Sequence, residues 1–222
     1  MFLIYPLSEK QKVVLRLLED KNAQRLKRYV KSLKKQGVNC LDICFQNEKR
    51  LFFVLDALKG IDIDLSIDTH NRYLLKSALK RANFVFINSS YPARENLKFY
   101  FRLANEYRTC LVILSVHKRE VAIDVRARKS LIDTIVKESE EFSFPQNRLF
   151  IDVVILPYRY YPEYMYVPLL LASYIRKHFP DIRTLAGLDN FTYKEPSNLL
   201  KKMYYLLLAP AIDACITTDF FL

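Results

Sequence analysis

Glycine is nearly absent: Gly37, Gly60 and Gly187 are the only three in 222 residues. A glycine-rich loop of the Rossmann or P-loop kind cannot be built from them, which argues against a nucleotide cradled by backbone amides. Cysteine is also sparse. Cys40, Cys44, Cys110 and Cys215 lie in or beside apolar β-like runs, without CxxC spacing or nearby histidines. That pattern argues against a zinc site and predicts reduced core thiols. No stretch reaches the roughly 18 to 20 uninterrupted apolar residues of a membrane span, and Met1 to Leu7 is too short for the apolar part of a signal peptide. The expectation is a cytoplasmic protein without a membrane partner. Acidic residues are outnumbered, 24 against 35 Lys and Arg, giving a formal net charge of +11. Such a charge attracts nucleic acid, a membrane surface or an acidic partner, and does not choose among them.

What is present is enough apolar material for a core. Hydrophobic residues make up 51% and charged residues 27% of the chain, which excludes intrinsic disorder. No linker, repeat or low-complexity segment interrupts it, so one domain over residues 1–222 is expected. Short β-branched or apolar runs recur at Phe2 to Tyr5, Cys40 to Phe45, Ile63 to Asp68, Phe84 to Asn88, Cys110 to Ser115, Leu149 to Ile155, Thr184 to Leu188 and Ala214 to Thr218. Segments with helical spacing separate most of them, including Asn22 to Gln36, Asn71 to Arg81, Arg94 to Glu106, Arg128 to Phe142, Pro168 to His178 and Asn198 to Leu208. Asn22 is placed to cap its helix, and Gly37 stands where a glycine ends one. This alternation predicts a parallel sheet closed into a (β/α)8 TIM barrel, with a doubly wound open sheet as the alternative.

In such a barrel the chemistry sits at the C-terminal strand ends. Four predicted strands carry a polar residue there: Asp42, Asp68, Asn88 and Asp152, with Asn190 just after a fifth. Side chains alternate along a strand, so Ser66 and Asp68 share a side, as do Phe86 and Asn88. If that side is the interior, carboxylates and amides converge at one mouth. The competing reading for Asp68 and Asn88 is helix N-capping, for which Asp and Asn are favoured.

These segments match a family. Ile-Asp-Leu-Ser-Ile-Asp-Thr (63–69) and Phe-Ile-Asn-Ser-Ser (86–90) resemble the third- and fourth-strand signatures of the pterin-binding barrels, the superfamily of dihydropteroate synthase and of methyltetrahydrofolate:corrinoid/iron-sulfur protein methyltransferase. Leu-Phe-Ile-Asp-Val-Val-Ile-Leu-Pro (149–157), Gly-Leu-Asp-Asn (187–190) and Ile-Asp-Ala-Cys-Ile (212–216) resemble the methyltransferase branch. The Asp-Pro-Gly loop, Ser-Arg-Lys segment and terminal Arg-x-His of dihydropteroate synthase have no counterpart.

The resemblance implies a dihydropteroate synthase-like barrel in which Asp68, Asn88 and Asp152 hydrogen-bond a pterin. Asp42 and Gly187 are further pocket positions, and Asn190 is the catalytic group at N5. It implies methyltetrahydrofolate as the bound substrate, methyl transfer to the Co(I) of a corrinoid protein, and cobalamin carried only by that partner. A homodimer is a further possibility. One alternative is a pterin-binding or corrinoid-protein-docking subunit without turnover; a second is a basic nucleic-acid-binding scaffold, although no RNA- or DNA-binding signature accompanies the charge. Departures from the family pattern are a first strand without Gly-Glu-Arg-Ile-Asn, Val153 in place of Pro, Asp189 in place of Ser and Lys202 in place of Asn.

Three groups have ordinary readings. His70, His117 and His178 are scattered, the last at a helix end where it favours the dipole. Lys21, Arg25, Lys27, Arg28, Lys31, Lys34 and Lys35 read as a solvated helix face, with attraction of an acidic partner or of folate's glutamate tail as the functional counterpart. Tyr158, Tyr160, Tyr161, Tyr164 and Tyr166 read either as packing beneath a helix or as a lid over the mouth.

Overall fold

A computed structural model describes residues 1–20, 22–117, 124–194 and 197–219. Eight parallel strands close into a barrel in chain order, with the first pairing the last. They are β1 (Phe2–Ser8), β2 (Cys40–Cys44), β3 (Asp64–Asp68), β4 (Phe86–Ser90), β5 (Cys110–Leu114), β6 (Leu149–Asp152), β7 (Arg183–Gly187) and β8 (Ala214–Ile216). The helices are α1 (Lys12–Glu19), α2 (Ala23–Lys35), α3 (Glu48–Leu58), α4 (Arg72–Arg81), α5 (Arg94–Glu106), α6 (Val125–Glu141), α7 (Val167–His178) and α8 (Asn198–Leu208).

Period-2 alternation sorts each strand between two cores. Leu41 and Ile43 of β2, Leu65 and Ile67 of β3, Ile87 of β4 and Ile151 of β6 face outward into the layer beneath the helices. Ile4, Cys40, Phe86, Val112, Phe150, Leu185 and Ala214 face inward and fill the barrel, with Phe86 and Phe150 edge to face at 5.0 Å. This interior cluster is an apolar floor. The same alternation carries the chain upward from it, from Cys40 to Asp42, from Phe86 to Asn88 and from Phe150 to Asp152, so the polar strand ends also face inward.

Strand limits differ from the sequence pattern where local hydrogen bonds intervene. The Leu149 to Ile155 run stops being a strand at Asp152, because Asp152 Oδ1 accepts the amide of Val154 at 2.8 Å and Val154 turns into the left-handed region at φ 40°. The first strand continues through Pro6 to Ser8, where the proline marks a break in the sequence pattern. β4 is shifted two residues toward Ser90, with an irregular register against β5 between Ile87 and Ser90.

Helix α2 ends as its sequence predicts. Gly37 takes φ 91°, its amide donates to Lys34 O at 3.0 Å and that of Val38 to Leu33 O at 3.2 Å, which is the Schellman arrangement. Gly37→Ala is therefore expected to destabilise the fold by about 1 to 2 kcal/mol, the cost of a left-handed non-glycine residue, measurable by urea unfolding. Arg28, Lys31, Lys34 and Lys35 are exposed on the outer face of α2 while Leu26, Val30 and Leu33 are buried. Lys34 pairs with Asp62 at 2.6 Å. Among the described residues no helix is long and apolar enough to cross a membrane.

Candidate functional site

Helix capping does not account for the polar strand ends. Helix α4 after β3 is capped by Asn71, whose side chain accepts the amides of Tyr73 and Leu74 at 3.0 and 3.2 Å. Helix α5 after β4 has Ala93 at its N-cap and no side-chain cap. Asp68 and Asn88 are thus free for another purpose.

Asp42, Ser66 and Asn88 form one network across three neighbouring strands. Asp42 is 2% exposed; its Oδ1 accepts from Ser66 Oγ at 2.5 Å and its Oδ2 from Asn88 Nδ2 at 2.9 Å. The register brings this about, since Asp42 lies opposite Ser66 and Asp68 opposite Asn88. Because Asn88 spends its amide nitrogen on Asp42, its carbonyl oxygen is the atom left for a ligand. Burial, then the neighbouring Asp68 charge, push the Asp42 carboxyl up to about 7 against the two hydrogen bonds. Burial also raises Asp68, which the Cys44 thiol, His70 and Lys10 partly offset.

Asp152, at the end of β6, is raised to about 6 by burial, with the Val154 amide and the Arg128 charge pulling the other way. Asp42 is buried and Asp68 and Asp152 are half-buried, and all three carboxyls are held above the usual carboxylate range over an apolar floor, an arrangement suited to a ligand-binding mouth. They accept hydrogen bonds when ionised and donate one when protonated.

Asn190 occupies the rim. It is exposed, in the 3-10 turn Leu188–Asn190 that follows β7, and its Nδ2 lies 3.2 Å from where a Cβ on Gly187 would stand. Gly187 thus gives the Asn190 amide room to fold back over the strand end. The neighbouring Asp189 is committed elsewhere: it accepts from Lys201 Nζ at 3.1 Å, Thr217 Oγ1 at 2.8 Å and the Thr218 amide at 2.9 Å, and Lys201 also bonds Asp219 at 2.5 Å. The Asp189 carboxylate is therefore held by Lys201, which it shares with Asp219, and by Thr217 and Thr218.

Sequence reasoning missed Lys201 and Arg128, both buried and both inside this region. Each falls on the buried stripe of its helix, Lys201 with Tyr204 and Leu208 on α8, Arg128 with Leu131, Ile132 and Ile135 on α6. A long cation at a core position was the available signal. His70 stacks at 5.4 Å from Tyr91 beside the mouth, His117 is exposed, and His178 closes α7 at 4.6 Å from Tyr174. The tyrosine segment divides: Tyr158 packs on Phe191 at 5.4 Å, whereas Tyr160, Tyr161 and Tyr166 are exposed. All four cysteines are free, Cys40 and Cys215 buried, Cys44 and Cys110 partly so; Lys21 of the basic cluster lies outside the described residues.

The closed parallel barrel is a (β/α)8 barrel, and its fold is that of dihydropteroate synthases of known structure. A dihydropteroate synthase from Coxiella burnetii in complex with pteroic acid superposes with a TM-score of 0.73 at 14% identity, over 99% of this chain and 88% of the other. The enzyme from Xanthomonas albilineans in complex with 7,8-dihydropteroate gives 0.66 at 15% identity, over 99% and 88%. One from Clostridium difficile in the presence of pteroic acid gives 0.68 at 13% identity, over 100% and 92%. No family model matches the sequence. At these identities the likeness establishes the fold.

Proposed function

We propose that this protein binds a reduced pterin at the barrel mouth and transfers the N5-methyl group of methyltetrahydrofolate to the Co(I) of a corrinoid protein. The observation that carries the pterin reading is the convergence of Asp42, Asp68, Asn88 and Asp152 on the barrel interior, above an apolar cluster. A pterin edge is a fused array of donors and acceptors, and fixed carboxylates and an amide satisfy it while rejecting analogues that lack it. Asp152 suits the donor edge, since its Oδ2 takes no hydrogen bond from the described residues.

The methyltransferase reading rests on the Gly187 to Asn190 segment. N5 first takes a proton from solvent; Co(I) then brings the electron pair that forms the Co–C bond, the C–N5 bond breaks with its pair left on N5, and tetrahydrofolate leaves as the neutral N5–H amine. Asn190 contributes an oriented amide to the protonated N5, and the protein itself supplies no nucleophile. The exposed Tyr160, Tyr161, Tyr166 and Tyr193 offer rigid amphipathic area on which the corrinoid protein would dock. The alternative of a pterin-binding subunit without turnover is favoured by the first strand. Its end, Ser8-Glu9, is occupied locally: Lys10 N donates to Ser8 Oγ at 3.1 Å and Arg50 pairs with Glu9 at 2.8 Å.

Calorimetry tests the pterin reading. Methyltetrahydrofolate is expected to bind saturably, with affinity falling about tenfold per pH unit below pH 6 as Asp152 takes up its own proton. An affinity flat from pH 5 to 8, or no saturable binding, would sink it.

A further inference from the structure

Arg128 is the bulkiest of the fully buried side chains, 1% exposed on α6. A guanidinium is costly to bury unless its donors are satisfied. Here Nε donates to Ser115 O at 3.2 Å, and Nη2 to Ser115 Oγ at 2.7 Å and Val154 O at 3.3 Å, with a further short bond from Nη2 to Val153 O. None of these partners is a carboxylate. They are oxygens of the two segments that leave β5 and β6, the strands on which Leu114 lies opposite Asp152. Between them stands Val154, a β-branched residue at φ 40°, a conformation such residues avoid unless the surroundings impose it. Its carbonyl is held by Arg128 and its amide points at Asp152 Oδ1, 2.8 Å away.

We propose that Arg128 is a positioning residue for the binding site: by pinning the carbonyls of Val153 and Val154 it forces the left-handed turn that aims the Val154 amide at Asp152, leaving the other carboxyl oxygen for the ligand. The clamp acts through the backbone, which explains why a fork of donors is needed and a point charge does not suffice. Only its ligand arm rests on the pterin reading.

The groups facing this centre are Arg128 from α6, Cys215 from β8, and Tyr204 of α8, which lies near Arg128. Arg128→Lys preserves the charge among them and removes the fork. In the folded variant, checked by circular dichroism, the Asp152 carboxyl followed by carbon-13 NMR is expected to titrate about one pH unit higher than in the unmutated protein, having lost the Val154 donor. Adding Val154→Gly should move the midpoint at least halfway back, because glycine adopts φ 40° without a clamp. A role confined to packing predicts no such rescue. If Arg128→Lys does not fold, Ser115→Ala removes one anchor and should shift the midpoint in the same direction by less. An unmoved midpoint in the folded variant, or a shift that Val154→Gly leaves untouched, overturns the clamp. Methyltetrahydrofolate affinity should fall about tenfold in Arg128→Lys and recover in the double variant. Absence of binding by the unmutated protein, with the carboxyl titrations moving as stated, would remove the pterin reading and leave the clamp standing.

Discussion

Asn190→Ala is expected to slow methyl transfer from methyltetrahydrofolate to a Co(I) corrinoid by roughly 10- to 1000-fold, the range of one lost electrostatic contact, while pterin affinity changes far less. The asymmetry follows from where the charge develops. The amide oxygen's interaction with N5 strengthens once that nitrogen is protonated on the way to transfer, so its contribution belongs to the transition state more than to the unprotonated ground state. The structure gives Asn190 the freedom this needs: it is exposed on the rim, with Gly187 leaving space behind its Nδ2. Nor does Asp189 compete for the cation, since Lys201, Thr217 and Thr218 already surround its carboxylate. Stopped-flow spectroscopy of Co(I) loss measures the step. Transfer by the variant at the unmutated rate would remove Asn190 from the chemistry. No transfer by the unmutated protein with several corrinoid proteins, while pterin still binds, would make the non-catalytic reading the better one.

The residues of the mouth were legible in the sequence because each interrupts an apolar run at the position where alternation points it inward: Asp42 two after Cys40, Asn88 two after Phe86, Asp152 two after Phe150. The network among them was not. That Ser66 and Asn88 share Asp42 depends on the register of three strands drawn from residues 24 and 46 positions away, and hydrophobic pattern within one strand carries no information about register. The end of β6 was misjudged for a related reason, since the apolar run resumes at Val153 after Asp152, and nothing in that pattern shows that Asp152 captures the Val154 amide and ends the strand. Arg128 and Lys201 escaped because charge is ordinarily read as surface. Their helical phase, and not their chemistry, places them inside.

The buried carboxyls also fix how stability varies with pH. Asp42 rises from 3.8 to about 7 on folding, chiefly through burial, so between those values the native protein holds a proton that the unfolded chain has released. Stability contributed by this group is complete below about pH 4 and is lost as pH rises through 7, after which it stays flat. At about 1.4 kcal/mol per unit the loss is at most roughly 4 kcal/mol, since Asp68 shares the same field. Asp152 acts in the same direction over a narrower window, up to about 6. The unmutated protein is therefore expected to resist urea better at pH 5 than at pH 8. Asp42→Asn should abolish much of that difference and raise stability at pH 8 by about 2 to 4 kcal/mol. Its amide oxygen still accepts from Asn88, and its nitrogen sits beside a hydroxyl that is able to accept. The same substitution removes the charge that orients Asn88 and should weaken pterin binding, so a gain in stability with a loss of affinity is the signature of a carboxylate kept for a ligand at the fold's expense. Destabilisation by Asp42→Asn at pH 8, in a variant that still folds, would mean that the ionised carboxylate is fully compensated by Ser66 and Asn88 and that its burial serves the barrel alone.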